Sequence, residues 1–351
     1  MNPENPEIAI NLTSMANANI SIYNSTGYYP LPLFLHVLYG FISVLSIIFN
    51  STVTALLWRG MQIEHVYTFY DLLIINMAIS DLSIGTLTLI TPDFVIPANK
   101  YLYPSGTVGD IFCRIIFSEY LLFTFGFYSV AIIAFISLER WVAIAKPIVY
   151  RRYCRSSNAK LIMPIIFLIN MAFKINNVVN VHYDNNTMPP CKWYRVFPTA
   201  NTYLYWFTAS EIITFYVPLV IILCANINIE RWSKLRSPSR RKYALPRYRR
   251  RRMSKMVMAA SAALIICWLP NEIYFTLRSF KLIPRSRIFH RTVKVFVILN
   301  SVLNPVIYVA SNRSYRNSIV DMVHRASLYT FMVNRKSSSN DLACVTLDKS
   351  C

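Results

Sequence analysis

The chain has 351 residues, 55% hydrophobic and only 15% charged, with a mean hydropathy of +0.38. Soluble domains carry about 25% charged residues, so this composition excludes an ordinary water-soluble domain. The formal net charge of +20 raises a nucleic-acid reading, which the placement of the charges argues against. Seven apolar segments, at roughly 31–58, 67–91, 113–145, 159–181, 202–229, 253–277 and 289–309, are each long enough to cross a ~30 Å hydrocarbon core as helices. A helix satisfies its own backbone in lipid, so an all-α membrane protein is expected. Of the 36 Lys and Arg, 25 fall in 59–66, 140–160, 230–255 and 310–351, against eight in the opposite set of connections and three within spans. That bias puts the four richer segments in the cytoplasm and the N-terminus outside, and makes the charge mainly a topology signal.

Residues 1–30 hold no Lys or Arg and no short apolar core, so no cleavable signal is expected there, and the first span is expected to act as an uncleaved one. Asn11, Asn19 and Asn24 each begin an Asn-x-Ser/Thr sequon, expected to be glycosylated on a translocated tail. Asn50 and Asp81 lie inside spans one and two. A carboxylate in a membrane is costly and marks an interior site, structural or functional. Cys113 to Pro147 reads as one helix of roughly 50 Å, long enough that it must tilt or protrude. It ends in Glu139-Arg140-Trp141, a charged pair that belongs at the water boundary, and Leu122, Ser129 and Arg140 share one of its faces.

Span four carries Asn170, Lys174, Asn176, Asn177 and Asn180, which are expected to face the bundle or water. A fourth usable sequon, at Asn185, and Cys191 follow. Span five contains Glu211 and Pro218; a basic connection with Arg249 to Arg252 in a run comes next. Span six holds Cys267-Trp268-Leu269-Pro270, where proline removes a backbone bond and bends the helix beside a large ring. Span seven holds Asn300-Ser301 and Asn304-Pro305-Val306-Ile307-Tyr308. Residues 310–325 alternate basic and apolar side chains, as suits an amphipathic helix on the membrane surface, and 326–351 form a polar tail. The tail's Ser337-Ser338-Ser339, Thr346 and Ser350 are candidate kinase and arrestin sites, and Cys344 and Cys351 candidate acylation sites.

Taken in order, these motifs resemble those of rhodopsin-like (class A) G-protein-coupled receptors of the peptide-receptor type. Glu139-Arg140-Trp141 is similar to the family's Asp/Glu-Arg-Tyr; 267–270 and 304–308 match its Cys-Trp-x-Pro and Asn-Pro-x-x-Tyr in full; Asn50, Asp81 and Pro218 stand where the family has them. The resemblance covers nearly all of 31–325. It implies a seven-helix bundle at the plasma membrane, with a glycosylated tail at 1–30 and the bundle at 31–309. It also implies a Cys113–Cys191 disulfide. Glu139, Arg140, Trp141 and Tyr308 would engage a heterotrimeric G protein, with arrestin as a further partner. Trp268, Pro270, Pro218, Asn304 and Pro305 would form the activation switch, and Asp81, Ser129, Asn300, Ser301 and Asn304 an allosteric sodium pocket; no other cofactor is implied.

The chain departs from the family pattern in places. Phe49 replaces a glycine, Phe167 stands about where span four has tryptophan, and Asn226 replaces a tyrosine of span five. Cys113 precedes Arg140 by 27 residues, about two more than usual, and span six begins with arginines where many relatives have an acid. A weak inactive lock and some basal activity are expected.

For the ligand, Leu122 occupies the aspartate site of amine receptors and Ile298 the retinal-lysine site of opsins, which disfavours both ligands. Glu119, Glu211 and Glu272 could receive a cation, Glu272 sharing a face with Trp268. Arg278, Lys281, Arg285, Arg287, Arg291 and Lys294 could instead attract an anion, unless they pair internally, Lys294 with Glu272 for example. A peptide with a basic or amidated end is the first expectation and an anionic small molecule or lipid the second. A non-signalling binder on the same fold is the alternative of a different kind. No internal repeat suggests a transporter, and no Gly-x-Ser-x-Gly or His-Glu-x-x-His suggests an enzyme.

Overall fold

Each of the seven apolar segments forms a helix: Leu33–Arg59, Phe69–Ile90, Gly106–Ala145, Ser156–Val179, Asn201–Trp232, Arg252–Ser279 and Arg287–Ser311. The computed structural model describes residues 31–64, 68–194, 200–235, 247–311 and 316. The sequons at Asn11, Asn19 and Asn24, nearly all of the amphipathic segment and the whole tail lie outside those residues. The sole strands among the described residues are β1 (Val181–Tyr183) and β2 (Cys191–Trp193), paired antiparallel with Tyr183 opposite Cys191.

Local chemistry sets several helix ends and bends. Thr68 caps span two by a reciprocal box: its hydroxyl accepts from the Asp71 N–H at 3.1 Å, and the Asp71 carboxylate accepts from the Thr68 N–H at 3.2 Å. In span five the turn before Pro218, Ile212–Tyr216, widens to π geometry, as suits a proline that offers no N–H to the preceding turn. Span six and span seven carry Pro270 and Pro305 within continuous helices, Arg247–Ser279 and Arg287–Ser311.

The third span corrects the reading of one unbroken helix. It runs as Gly106–Phe112, a π turn at Cys113–Phe117, a break at Ser118–Glu119, and then Tyr120–Ala145. Glu119 has φ 60° and ψ 19°, a left-handed conformation uncommon for a residue with a side chain. The two surplus residues between Cys113 and Arg140 are thus absorbed in a widened turn and a kink. Below the break, Leu122 and Ser129 are both buried, so the predicted shared face survives.

Tyr120–Ala145 is the central helix, packing against spans two, four, five and six. Its buried Val130, Ile132 and Ile133 join Leu73, Met77, Ile222, Leu264 and Trp268 in the main core. Span four is the most lipid-facing in composition, with Leu161, Ile165 and Leu168 exposed while Met163, Asn170 and Lys174 are buried. Its polar residues face the bundle, as their cost in lipid requires.

Spans one and two approach closely through small residues, as membrane helices do where packing rather than hydrophobicity drives association. A Cβ on Gly85 would stand 3.0 Å from the Ser43 carbonyl oxygen, 3.1 Å from Ser46 Cβ and 3.2 Å from Ile47 Cγ1. Gly85→Val is therefore expected to push the two helices apart, at about 1–3 kcal/mol. The thermal unfolding midpoint of the purified protein should drop by several degrees, with Gly85→Ala between; an unchanged midpoint for both would refute this contact.

Candidate functional site

At one end of the bundle, Arg140 is held by three different groups. Its guanidinium donates to both carboxylate oxygens of the buried Glu139, lies 4.4 Å from the centroid of the Tyr70 ring, and points Nη1 at Met253 Sδ of span six, 3.4 Å away. Its partner on span six is therefore a thioether, a weak acceptor, and its partner on span two an aromatic ring. Tyr150, on the short helix Pro147–Tyr153 beyond the span, lies beside Glu139. Burial, with the Glu139 charge adding to it, pushes its hydroxyl up to about 12. Trp141 has Lys146 above its ring at 5.8 Å, and Tyr308 donates to Met77 Sδ on span two.

Mid-bundle, Asp81 is fully buried and bridges three helices. Its carboxylate accepts from Asn304 Nδ2 at 2.8 Å and from Ser129 Oγ at 3.3 Å. Asn50 ties the layer together, donating to the carbonyls of Ser46 and Ser301, both at 2.9 Å, while Ser46 Oγ donates to the Asp81 carbonyl. The Ser301 hydroxyl donates to its own helix at Ile298. Two buried amide oxygens, Asn300 Oδ1 and Asn304 Oδ1, have no donor among the described residues. A carboxylate with surplus neutral oxygens and no histidine or cysteine is a donor set that fits a hard monovalent cation.

Above that layer sits Trp268, 1% exposed, between Phe127 at 5.0 Å and Phe215 at 6.3 Å between ring centroids. Its ring fits because residue 126 is glycine: a Cβ there would lie 2.7 Å from Trp268 Cη2. Phe167 packs against Phe125 and Tyr128, at 5.1 and 5.2 Å. Asn226 leaves its buried Oδ1 without a partner among the described residues.

At the opposite end, Cys113 and Cys191 are joined in a disulfide with Cα atoms 5.3 Å apart, which ties the β-hairpin to the π turn of the third span. Asn185 is exposed at the tip of that hairpin. Here the proposed ligand residues fall into two separate clusters. In the first, Glu119 pairs with Lys294 and, at 3.3 Å, with Arg291; Arg291 and Arg287 also hold Asp93 at 2.9 and 2.7 Å. Burial alone would raise the Asp93 carboxyl, but Arg291 and Arg287 outweigh it and keep it below the usual carboxylate range. Its stabilising charge is thus present above about pH 4 and is lost as the pH falls through the lowered folded value.

In the second cluster, Lys174 of span four bonds Glu211 of span five at 2.8 Å, and Glu272 of span six faces Glu211 closely enough for the carboxyls to interact. Two expectations are corrected. Lys294 pairs with Glu119 rather than Glu272, because the kink at Glu119 turns that carboxylate toward span seven. The supposed basic cluster is divided, with Arg287, Arg291 and Lys294 paired to Asp93 and Glu119 while Arg278, Lys281 and Arg285 have no ion-pair partner among the described residues. Leu122 belongs to neither cluster; it packs with Val295, Ile298 and Phe94 in an apolar layer.

Sequence reasoning missed Asp93, Met253, Gly126 and Phe127. Asp93 looked like loop composition, and Gly126 was one small residue in an apolar helix. Each has a partner more than 100 residues away in sequence.

Comparison with known proteins places this arrangement. The family described as 7 transmembrane receptor (rhodopsin family) matches residues 49–308, and the chain belongs to it. It is a receptor rather than an enzyme, and a multi-pass protein of the plasma membrane. Among its relatives is an allatostatin-A receptor of Bombyx mori, 23% identical over 295 residues, which cover 80% of this chain and 76% of that protein.

The contact between Gly126 and Trp268 gives a direct test. Gly126→Ala is expected to lower thermal stability by about 1–3 kcal/mol through overpacking. The double variant with Trp268→Phe should recover most of the loss by removing the opposing ring atoms. Equal loss in single and double variants, read by thermal unfolding, would refute the contact.

Proposed function

We propose that this receptor binds an extracellular peptide at the disulfide end of its bundle and in response activates heterotrimeric G proteins at the Arg140 end. In this reading the N-terminus is extracellular, and Asn11, Asn19, Asn24 and Asn185 are glycosylated. The observation that carries it is the three-layer arrangement: charge clusters at one end, the Trp268 and Asp81 layers in the middle, and at the other a half-buried arginine paired within its own helix and held to other helices by weak partners. The relationship to a receptor named for a peptide favours a peptide ligand. Against an anionic ligand, two of the three charges of Arg287, Arg291 and Lys294 are already matched by the internal carboxylates Asp93 and Glu119.

Ligand contact at the disulfide end would bias the packing of Phe127 against Trp268, and the helices carrying Pro218, Pro270 and Pro305 would adjust. Asp81 and Asn304 link spans two and seven, so a change in their layer reaches Tyr308. At the far end Arg140 would leave Glu139 and Met253 to contact the G protein, with arrestin as a later partner at the same face. A ligand drives this only by binding the active arrangement more tightly. Because Met253 offers a thioether where a carboxylate would hold the arginine, the inactive state is weakly locked.

Agonist-independent nucleotide exchange in membranes should therefore be measurable, should vanish in Arg140→Ala, and should fall several-fold in Met253→Glu, which supplies the missing carboxylate. Stimulation by cationic peptide fractions and not by anionic lipid fractions would support the ligand class. No exchange from well-expressed surface protein under any fraction would sink the signalling reading.

We further propose that Asp81, Ser129, Asn300, Ser301 and Asn304 hold a sodium ion in the inactive receptor. When bound, the ion would neutralise the Asp81 carboxylate. Sodium chloride should raise the thermal midpoint relative to choline chloride at equal ionic strength, and Asp81→Asn should remove the difference. A sodium effect that survives Asp81→Asn would exclude the site.

A further inference from the structure

The cluster at spans four, five and six is out of balance in charge and in hydrogen bonding. Lys174, Glu211 and Glu272 are all buried, at 6%, 7% and 2% exposure, and supply two carboxyls for one ammonium. Acceptors also outnumber donors. Glu211 Oε2, Asn271 Oδ1 and Asn170 Oδ1 are buried with no donor among the described residues. Asn271 Nδ2 is already committed to Glu272 Oε1 at 2.9 Å, and Asn170 Nδ2 to the Ile166 carbonyl at 2.8 Å. Unmatched acceptors and facing carboxyls inside a membrane are costly, and a donor-rich cation satisfies both. The first cluster is the reverse case: Asp93 and Glu119 face Arg287, Arg291 and Lys294, so its cations are in excess.

Lys174 occupies the position an incoming cation would want. Its ammonium bonds Glu211 and lies 3.6 Å from the centroid of the Phe127 ring, and Phe127 packs on Trp268. A cation beside Phe127 is attracted to the ring face. Lys174 is thus a tethered occupant of a site built for one more positive group.

We propose that Glu211, Glu272, Asn271 and Phe127 form a subsite for a guanidinium or primary ammonium group of the ligand, with Lys174 as its built-in competitor. This rests on the reading that the disulfide end receives the ligand, and it names the chemistry of one part of that ligand: a basic side chain or free amine. Entry of the group at the carboxyl pair shifts Lys174 off Glu211 and off the Phe127 face, which changes the packing against Trp268. Glu272 is the main anchor, since its carboxyl faces that of Glu211 and bonds no cation among the described residues, and Lys174 sets the affinity by competing.

The test uses 2-phenylethylguanidinium and its neutral isostere 2-phenylethylurea with the full-length receptor in lipid nanodiscs, reading affinity by calorimetry and by thermal shift. The guanidinium is expected to bind and the urea not. Glu272→Gln should weaken guanidinium binding at least tenfold, and Lys174→Gln should strengthen it by about tenfold. Asp110→Asn, at a part-exposed carboxylate that pairs with Arg114 outside both clusters, should leave it unchanged. If Lys174→Gln does not fold, the charge-balanced pair Lys174→Gln with Glu211→Gln keeps Glu272 as the lone carboxylate and should bind at least as tightly as the unaltered receptor. Equal binding of the urea, no binding of either compound, or affinity indifferent to Glu272→Gln would overturn the proposal and leave the carboxyls as a closed structural cluster. The measurement needs neither G protein nor peptide, so its failure would leave the signalling reading standing, and a failure of signalling would not alter this result.

Discussion

A charge inside the hydrocarbon layer must be paired or hydrogen-bonded, because the alternative costs several kcal/mol per group, and this requirement organises the bundle from one end to the other. Asp81 sits mid-membrane only because Asn304 and Ser129 donate to it from two other helices. Glu119 is tolerated in a left-handed backbone because Lys294 and Arg291 hold it, and Arg140 because Glu139 lies beside it. In the first two cases an interaction that stabilises the fold also joins helices that would have to move in signalling. Such interactions can be weakened by a competitor without dismantling the apolar core.

The two charge clusters at the disulfide end show how the same requirement produces asymmetry. One has surplus cations and is closed by Asp93 and Glu119 around Phe94, whose ring lies 4.6 Å from the Arg291 guanidinium. The other has surplus acceptors and lies against Phe127. The first reaches Phe127 through Phe123, over whose ring Lys294 lies at 5.2 Å, whereas the second touches Phe127 directly. A ligand group acting there would have the shorter physical route to the middle of the bundle, through ring packing rather than through a chain of ion pairs.

The Arg140 end differs in strength. A carboxylate on span six would bind the guanidinium by a charge-assisted bond, whereas Met253 offers a neutral sulfur. Glu139 then carries nearly all of the charge pairing from within the same helix, which does little to hold span six against span three. Asn226 of span five leaves its Oδ1 without a partner among the described residues. On the signalling reading proposed above, the inactive state would depend on the packing of the Trp268 and Asp81 layers more than on a lock at this end.

The amino-acid sequence by itself determined the membrane class, the seven helices and the motif residues, because length, hydropathy and proline act locally along the chain. Asp81, Trp268 and Asn304 were legible as interior residues, since a polar group or a large ring in an apolar helix has few other places to go. Only the tertiary structure decided which charges meet. Lys294 chose Glu119 over Glu272 because a π turn and a kink redirected that carboxylate, and no helical periodicity can forecast an irregular turn. Gly126 and Asp93 acquired their roles from Trp268 and Arg291, more than a hundred residues away. Spacing along one chain specifies which face a residue is on; partners across the bundle depend on how the helices bend and pack.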